Sequence, residues 1–366
     1  MGEALRLPFI DLSSSDRIST AKSIRQACVD CGFFYLINHG VEEELLKRVF
    51  DESKKFFSLP VQEKMKLERK GYVGYTPLYS ETLDPTVKSG GDLKESFYIG
   101  PIEGANDIQN QWPSDEILPA WRSTMESYHE KLMTICRRLI SLIALALNLD
   151  ESFFEDVGAL HEPMGFVRLL RYPGELIASN MEIHGASAHS DYGMVTLLAT
   201  DGVRGLQICR EKDRQPQVWE DVPHADKAFI VNIGDMMERW TNCLFRSTLH
   251  RVVIPTEERY SVAFFLDPND DCMVQCLESC CSEACPPSCP LGDATQVPRG
   301  ADWRAREERT PAEGARVPSP GGRASLQQGA PRQDSLHERK TPGESLSDTV
   351  RVSSVPIMRI PTRKPP

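Results

Sequence analysis

Three residues suited to binding a metal ion fall in two β-rich stretches of the chain. His189 and Asp191 lie two residues apart in a run typical of a strand, so their side chains share one face. His250 follows 59 residues after Asp191 in another β-rich run. Two imidazoles and one carboxylate on one side of an ion form a facial triad, a ligand set typical of non-haem Fe(II). A chain that uses this triad must bring the two stretches together, which constrains its fold more than any other feature.

A pattern suited to binding a carboxylate follows His250. Arg259 and Ser261 also lie two apart in a β-rich run, so a guanidinium and a hydroxyl share one face. A guanidinium binds a carboxylate through charge-assisted, forked hydrogen bonds. The sequence therefore predicts a metal site with a carboxylate clamp beside it.

The order and spacing of these motifs resemble one known family. His-x-Asp, a distant His and Arg-x-Ser follow one another as in the Fe(II)/2-oxoglutarate-dependent dioxygenases of the plant and fungal isopenicillin N synthase-like family. Four stretches of the N-terminal part are also similar to segments of that family, namely 32–40, 57–64, 71–75 and 94–98. The resemblance extends from residue 1 to about residue 285.

The resemblance implies an α+β fold, in which a distorted double-stranded β-helix (jelly-roll) barrel is flanked by helices. A mixed α/β N-terminal module precedes the barrel and a disordered C-terminal tail follows it. Short strands separated by turn residues also favour a jelly roll. The predicted parts are an N-terminal dioxygenase module (1–115), a scaffold helix region (116–160), the Fe(II)/2-oxoglutarate dioxygenase jelly-roll core (161–285) and an atypical tail (286–366).

The tail differs from the rest of the chain in composition. It is rich in Pro, Gly, Arg and Ser, poor in aliphatic residues and without periodicity, which predicts disorder. Related enzymes usually continue with a final helix that packs beside the active-site mouth, and no such helix is predicted here.

The resemblance also assigns the chemistry. The three metal ligands of the family, which are also its catalytic residues, match His189, Asp191 and His250. The three residues that hold the far carboxylate of the cosubstrate 2-oxoglutarate match Tyr172, Arg259 and Ser261. O2 is then the oxidant, ascorbate is the expected reductant, and the cosubstrate leaves as succinate and CO2. Hydroxylation of a small organic molecule, plausibly a specialised metabolite, is the expected outcome, although demethylation, desaturation and ring closure begin in the same way.

The substrate is predicted from four further residues. Arg168 alternates onto the same strand face as Tyr172, and a guanidinium near a barrel lumen needs an anionic partner. That partner is either a protein carboxylate or an acidic group of the substrate. Tyr75, Phe97 and Phe265 are candidates for an aromatic pocket wall, although aromatic residues in such runs more often pack in a core.

Two alternatives remain open from the sequence alone. An Fe(II) oxidase on the same fold could work without 2-oxoglutarate, because relatives of that kind keep Arg-x-Ser for their substrate. A protein that binds metal or ligand without catalysis is the other alternative, given the atypical C-terminus. A zinc hydrolase or sugar isomerase of the cupin type is less favoured, because neither needs the clamp.

Several other polar residues are predicted to have structural roles. Asn232 and Asp235 resemble the family's Asn-x-Gly-Asp turn, where they support the fold or orient a ligand. His39 and His184 are more typical of turn and loop residues than of metal ligands. The cysteines between 272 and 289 lack Cys-x-x-Cys spacing and are predicted to be ordinary thiols.

Composition indicates a soluble cytoplasmic protein. The chain has 366 residues, of which 40% are hydrophobic, and it contains no apolar run of membrane-spanning length and no signal-peptide pattern. The net charge of −11 disfavours binding to nucleic acid. Eleven cysteines without a secretion signal predict reduced thiols. A monomer with a small-molecule substrate, and with neither a nucleic-acid nor a membrane partner, is expected.

Overall fold

The computed structural model describes residues 5–83, 91–102, 109–174, 184–212, 214–281 and 295–296. The chain divides into two units, Met1–Ala312 and Glu313–Pro366, and every described residue belongs to the first. Apart from Thr295 and Gln296, the tail predicted for 286–366 lies outside the described residues. The domain boundaries given above stay predictions.

The scaffold helix region predicted at 116–160 contains the longest of the described helices. This helix has 26 residues, and apolar positions recur along it every three to four residues. Among the described residues, no helix is long and apolar enough to span a membrane. The helices are α1 Arg17–Asp30, α2 Glu43–Phe57, α3 Val61–Met65, α4 Trp121–Ala146, α5 Phe153–Asp156, α6 Asp235–Trp240 and a 3-10 turn at Glu278–Cys280.

The strands are short. The family-like stretch 32–40 forms a strand only over Phe33–Ile37, because Gly32, Asn38 and Gly40 adopt positive φ angles on either side of it. The strands are β1 Phe9–Asp11, β2 Phe33–Ile37, β3 Gly74–Thr76, β4 Glu95–Ile99, β5 Met164–Tyr172, β6 Ala186–His189, β7 Val195–Thr200, β8 Leu206–Cys209, β9 Glu220–Asp221, β10 Phe229–Ile233, β11 Leu249–Val252, β12 Arg259–Asp267, β13 Met273–Val274 and β14 Thr295–Gln296.

Two sheets bring distant parts of the sequence together. The larger has the order β1-β2-β10-β7-β12-β5-β4-β3, and the smaller has the order β6-β11-β8-β9. Every pair in these two sheets is antiparallel except β1 with β2. The nine-residue strands β5 and β12 are paired along their full length at the centre of the larger sheet. The N-terminal strands therefore extend the same sheet that carries the clamp residues.

The larger sheet has one face against the helices and one face towards the candidate site. In β5, Val167 and Leu169 join the main hydrophobic core with α4, whereas Leu170 and Tyr172 belong to a separate buried cluster. Each buried aliphatic side chain of this kind contributes about 1.5–3 kcal/mol to folding. The alternation confirms that Arg168, Leu170 and Tyr172 share the face opposite the helices.

Candidate metal centre

The three predicted metal ligands lie together because β6 pairs with β11. His250 lies directly opposite His189 in this antiparallel pair, and Asp191 follows two residues after His189. The potential ligand atoms of the three residues all lie within 4.8 Å of one another. Among the described residues, no other group of three or more His, Cys, Asp or Glu side chains meets this condition.

Both histidines are oriented in the same way by their own strands. The Nδ1 atom of His189 lies 2.8 Å from the carbonyl oxygen of Ser187, and that of His250 lies 3.1 Å from the carbonyl oxygen of Thr248. A carbonyl only accepts, so each Nδ1 donates, and in the neutral form of each imidazole Nε2 then presents its lone pair. The two Nε2 atoms lie 3.7 and 3.6 Å from the same carboxylate oxygen of Asp191. The three atoms that could bind a metal ion therefore face one point.

The two oxygens of Asp191 have different surroundings. Oδ2 accepts hydrogen bonds from Thr196 Oγ1 at 2.6 Å and from Asn232 Nδ2 at 2.7 Å. Oδ1 is the oxygen that faces the two imidazoles. Donors that fix one oxygen in this way leave the other to bind a metal.

Asn232 therefore contacts Asp191, a predicted metal ligand, directly. This contact fits the second of the two roles expected from the sequence, which is to orient a ligand. Asp235 supports the same loop, because its backbone N–H donates to the carbonyl oxygen of Asp191 at 2.8 Å. Its carboxylate accepts from Ser247 at 2.5 Å and from Ser190 at 3.2 Å. Sequence reasoning missed Thr196, since a threonine in a strand has no pattern that reveals its partner.

The electrostatics of the triad suit metal binding. Burial lowers the pKa of His189 to about 4, and the neighbouring His250 contributes to this lowering, so this imidazole is neutral. Burial also lowers the pKa of His250, but Asp191 outweighs that effect and raises it overall. Burial raises the pKa of Asp191, yet His250 and the hydrogen bonds to this carboxylate lower it well below its usual range. The aspartate is an anion with a neutral histidine beside it, which is the form that binds metals.

The predicted clamp residues also come together. Arg259 begins β12 directly opposite Tyr172 in β5, and its guanidinium lies 4.9 Å from the centre of the Tyr172 ring. Its Nη1 donates to Ser261 Oγ at 3.2 Å, and its Nε donates to the carbonyl oxygen of Val203 at 3.2 Å. These contacts hold the guanidinium in one orientation.

Arg259 is a buried cation without an acidic partner in the described part of the chain. Its side chain is 1% exposed, yet it forms no ion pair with any carboxylate in the described part of the chain. Burying a charge is costly unless the charge is paired. The site is therefore suited to an anionic ligand, and a carboxylate matches the geometry of a guanidinium.

Arg168, by contrast, has an acidic partner within the protein. It is buried, forms an ion pair with Glu81 and donates to Ser96 Oγ at 3.2 Å. Its guanidinium lies 4.4 Å from the centre of the Tyr98 ring. Of the two partners left open by the sequence, the structure contains the protein carboxylate. An acidic group on the substrate stays a prediction. Arg168 does not require such a group, because Glu81 already pairs with it.

The prediction that Tyr75 and Phe97 line the pocket is wrong. Both are buried in the main hydrophobic core, where each packs against Phe56. Strand alternation is the reason, since Ser96, next to Phe97 in β4, is the residue that contacts Arg168. Phe265 lies in β12 on the same face as Arg259 and is partly exposed, so its predicted contact with substrate remains a prediction.

Replacing Phe97 by alanine is expected to destabilise the fold without altering the metal site. The free energy of unfolding should fall by about 3–5 kcal/mol, because a fully buried aromatic ring is lost. Denaturant unfolding and titration with Co(II) measure the two effects. Phe265→Ala is the control, and its partly exposed side chain should cost less stability. Weaker metal binding by Phe97→Ala with little loss of stability would contradict this placement.

His39 and the cysteines near residue 276 lie away from the triad. His39 is buried against Phe229, and its Nδ1 accepts from the backbone N–H of Val41 at 3.2 Å. The sulfur atoms of Cys276 and Cys281 lie 3.3 Å apart, and no described cysteine forms a disulfide. Of the six cysteines of the predicted cluster, Cys285 and Cys289 lie outside the described residues.

Two family models match this sequence. The model described as non-haem dioxygenase in morphine synthesis N-terminal matches residues 7–115. The model of the 2OG-Fe(II) oxygenase superfamily matches residues 165–268, which include the triad and the clamp.

Individual proteins are similar over most of their length. Azadirone synthase LFS of Melia azedarach is 40% identical over 282 residues, which cover 74% of this chain and 83% of that protein. The crystal structure of a full-length Neurospora crassa protein in complex with alpha-KG has a TM-score of 0.68 at 28% identity, covering 77% of this chain and 91% of that one. The structure of JOX2 in complex with 2OG, Fe and JA also has a TM-score of 0.68, at 29% identity, covering 84% and 90%. These similarities confirm the predicted helix-flanked jelly-roll core.

Proposed function

Because the chain belongs to the 2OG-Fe(II) oxygenase superfamily, we propose that it is an Fe(II)- and 2-oxoglutarate-dependent dioxygenase that oxidises a small organic metabolite. The observation that carries this conclusion is the buried guanidinium of Arg259, which has no acidic partner among the described residues, in a fold that also assembles the triad. A metal site alone would fit many reactions, whereas a metal site combined with a buried carboxylate receptor fits an oxo-acid cosubstrate.

The residues present fit Fe(II). His189 and His250 would supply two imidazole nitrogens, and Asp191 would supply one carboxylate oxygen, which is the facial set that non-haem Fe(II) takes. When bound, Fe(II) with 2-oxoglutarate and O2 supplies the oxidising chemistry, with succinate and CO2 as by-products. Thr196 and Asn232 hold Asp191 so that a single oxygen faces the two imidazoles and would bind the metal.

The clamp residues fit the far carboxylate of 2-oxoglutarate. Arg259 supplies the positive charge, and Ser261 supplies a hydroxyl that already lies 3.2 Å from the guanidinium. Tyr172, whose ring lies 4.9 Å from the same guanidinium, is the third residue proposed to hold this carboxylate. The protein thereby fixes the position of the cosubstrate before reaction, which removes much of the entropic cost of bringing the reactants together.

Other parts of the reaction are proposed on chemical grounds. O2 is the oxidant that such a cosubstrate requires, and ascorbate is the reductant expected to keep the iron in the Fe(II) state. Hydroxylation is the expected outcome, with demethylation, desaturation and ring closure as variants. Cytoplasmic location, a monomeric state and the absence of nucleic-acid or membrane partners stay predictions from the sequence.

Neither alternative considered from the sequence is favoured. An oxidase that works without 2-oxoglutarate leaves the buried charge of Arg259 to be paired by its substrate, whereas two of the similar structures contain alpha-KG or 2OG. Binding without catalysis is not favoured either, because the similar protein of Melia azedarach is named as a synthase, which is an enzyme.

Anaerobic binding tests the proposed function. A 2-oxo acid that chelates Fe(II) produces a visible charge-transfer absorption, which we expect when 2-oxoglutarate is added to the Fe(II)-loaded protein. When Fe(II) is titrated in the presence of 2-oxoglutarate, the absorption should stop increasing at one metal ion per chain. Iron binding without this absorption would favour the oxidase that works without 2-oxoglutarate, and absence of iron binding would contradict the metal site itself.

Replacing Arg168 by leucine tests whether this residue meets the substrate. Once a metabolite screen has found an acidic substrate, the variant is expected to raise its KM, because the guanidinium that would meet the acidic group is lost, while the affinity for 2-oxoglutarate stays within about twofold. The reason is that Arg168 and Arg259 have different contacts, with Glu81 and Tyr172 respectively. Steady-state kinetics with each compound varied in turn measure both effects. Equal losses for both compounds would show that Arg168 serves the cosubstrate or the fold.

A further inference from the structure

A buried aspartate outside the triad holds the strand that carries His189. Asp92 is 1% exposed, and its Oδ1 accepts hydrogen bonds from the backbone N–H of Ser187 at 3.1 Å and from its Oγ at 2.5 Å. Ser187 is the residue whose carbonyl oxygen accepts from Nδ1 of His189 at 2.8 Å. Asp92 is therefore connected to a metal ligand through a single intervening residue.

The second oxygen of Asp92 belongs to a buried ion network. Lys94 Nζ lies 2.7 Å from Asp92 Oδ2 and 2.9 Å from Glu81 Oε2, and its side chain is almost fully buried. Glu81 also pairs with Arg168. Lys94 thus anchors the carboxylate of Asp92 from the side opposite to Ser187.

The position of Ser187 explains why β6 needs such a support. This strand has four residues and lies at the edge of the smaller sheet, where β11 is its one neighbour among the described strands. The pairing is irregular here, because His189 lies opposite His250 but Ala186 lies opposite Val252. A bulge of this kind leaves a residue out of the regular ladder, and bulges often re-aim side chains beside active sites. Asp92 accepts a hydrogen bond from the backbone N–H of Ser187, which lies in this bulge.

We propose that Asp92 is a positioning residue for the metal centre, which orients His189 through Ser187 and is itself held by Lys94. This role rests on the proposed function, because it presumes that His189 binds a metal. Outer contacts that orient metal ligands commonly change metal affinity when they are removed, since the ligand must then be ordered at the moment of binding.

The test compares variants of the full chain in Co(II) affinity, measured by anaerobic titration with the metal alone. Asp92→Ala is expected to weaken Co(II) binding by about 10-fold or more. Ser187→Ala keeps the backbone donor but loses the hydroxyl, so a smaller loss of about 2- to 10-fold is expected. In the Asp92→Ala background, Ser187→Ala should have no further effect, because the acceptor of its hydroxyl is gone.

Glu95 offers a matched control. It is also 1% exposed, and it pairs with Lys64 at 2.7 Å and with Arg171 at 2.6 Å. No described contact links it to the triad. Glu95→Ala should lower the Tm of the metal-free protein, as Asp92→Ala should, but keep the wild-type affinity for Co(II). The rise in Tm that saturating Co(II) produces should shrink in Asp92→Ala and stay unchanged in Glu95→Ala.

Each outcome separates positioning from general stability. Wild-type Co(II) affinity in Asp92→Ala would overturn the proposal, and so would an equal loss of affinity in Glu95→Ala. If Asp92→Ala does not fold, wild-type affinity in Ser187→Ala overturns it instead. If the wild-type protein binds no Co(II), the metal site of the proposed function fails, and the role of Asp92 fails with it.

Discussion

Replacement of Asp191 by alanine is expected to abolish stable metal binding while the protein stays folded. Asp191 supplies the one anionic donor of the triad, and its Oδ1 is the atom on which both imidazoles converge. The four ligands of a structural zinc site together contribute about 10–16 kcal/mol of binding free energy, or about 2.5–4 kcal/mol each. The loss of one ligand should therefore weaken metal binding by about 10²- to 10³-fold. Titration with Co(II) and the iron content after gel filtration measure the effect.

Asp201→Ala is the control for this variant. Asp201 accepts hydrogen bonds from the backbone N–H groups of Val203 and Tyr260, at 3.1 and 2.6 Å, and has no described contact with the triad. It should keep the affinity of the wild-type protein. Tight metal binding by folded Asp191→Ala would contradict the assignment of this carboxylate as a ligand.

Replacement of Arg259 by methionine is expected to raise the KM for 2-oxoglutarate by about 100-fold or more. Removing one partner of a buried, hydrogen-bonded charge pair costs about 2–5 kcal/mol, and 100-fold corresponds to about 2.7 kcal/mol. The metal affinity should stay unchanged, because Arg259 makes no described contact with the three ligands.

The stability of this variant separates a binding role from a structural one. Arg259 is buried without a described carboxylate partner, so an apolar side chain of similar length removes an uncompensated charge from the metal-free protein. The lost hydrogen bonds to Ser261 and Val203 oppose this gain. We therefore expect the free energy of unfolding to change by no more than about 2 kcal/mol. An unchanged KM, or a large loss of stability, would show that Arg259 serves the fold.

The ligands and the clamp could be predicted from sequence because each depends on local alternation within a strand. His189 with Asp191, and Arg259 with Ser261, lie two apart, and the resemblance to a known family supplied their roles. The pairing of β6 with β11 then placed His250 opposite His189, as the triad requires.

Contacts between distant segments could not be predicted in the same way. Glu81, the partner of Arg168, and Asp92, the partner of Ser187, lie 87 and 95 residues away from the residues they contact. Nothing local in the sequence distinguishes them from exposed acidic residues. Tyr75 and Phe97 were misplaced because an aromatic run does not reveal which face of its strand meets the helices.

Succinate release tests the central claim most directly. The purified protein is supplied with Fe(II), ascorbate and 2-oxoglutarate in air, without an added substrate, and is compared with His189→Ala. Slow turnover without substrate is expected of such enzymes, so the wild-type protein should release succinate and the variant should release none above background. Failure of the iron-loaded wild-type protein to form succinate, or equal release by His189→Ala, would contradict an Fe(II)- and 2-oxoglutarate-dependent reaction at this site.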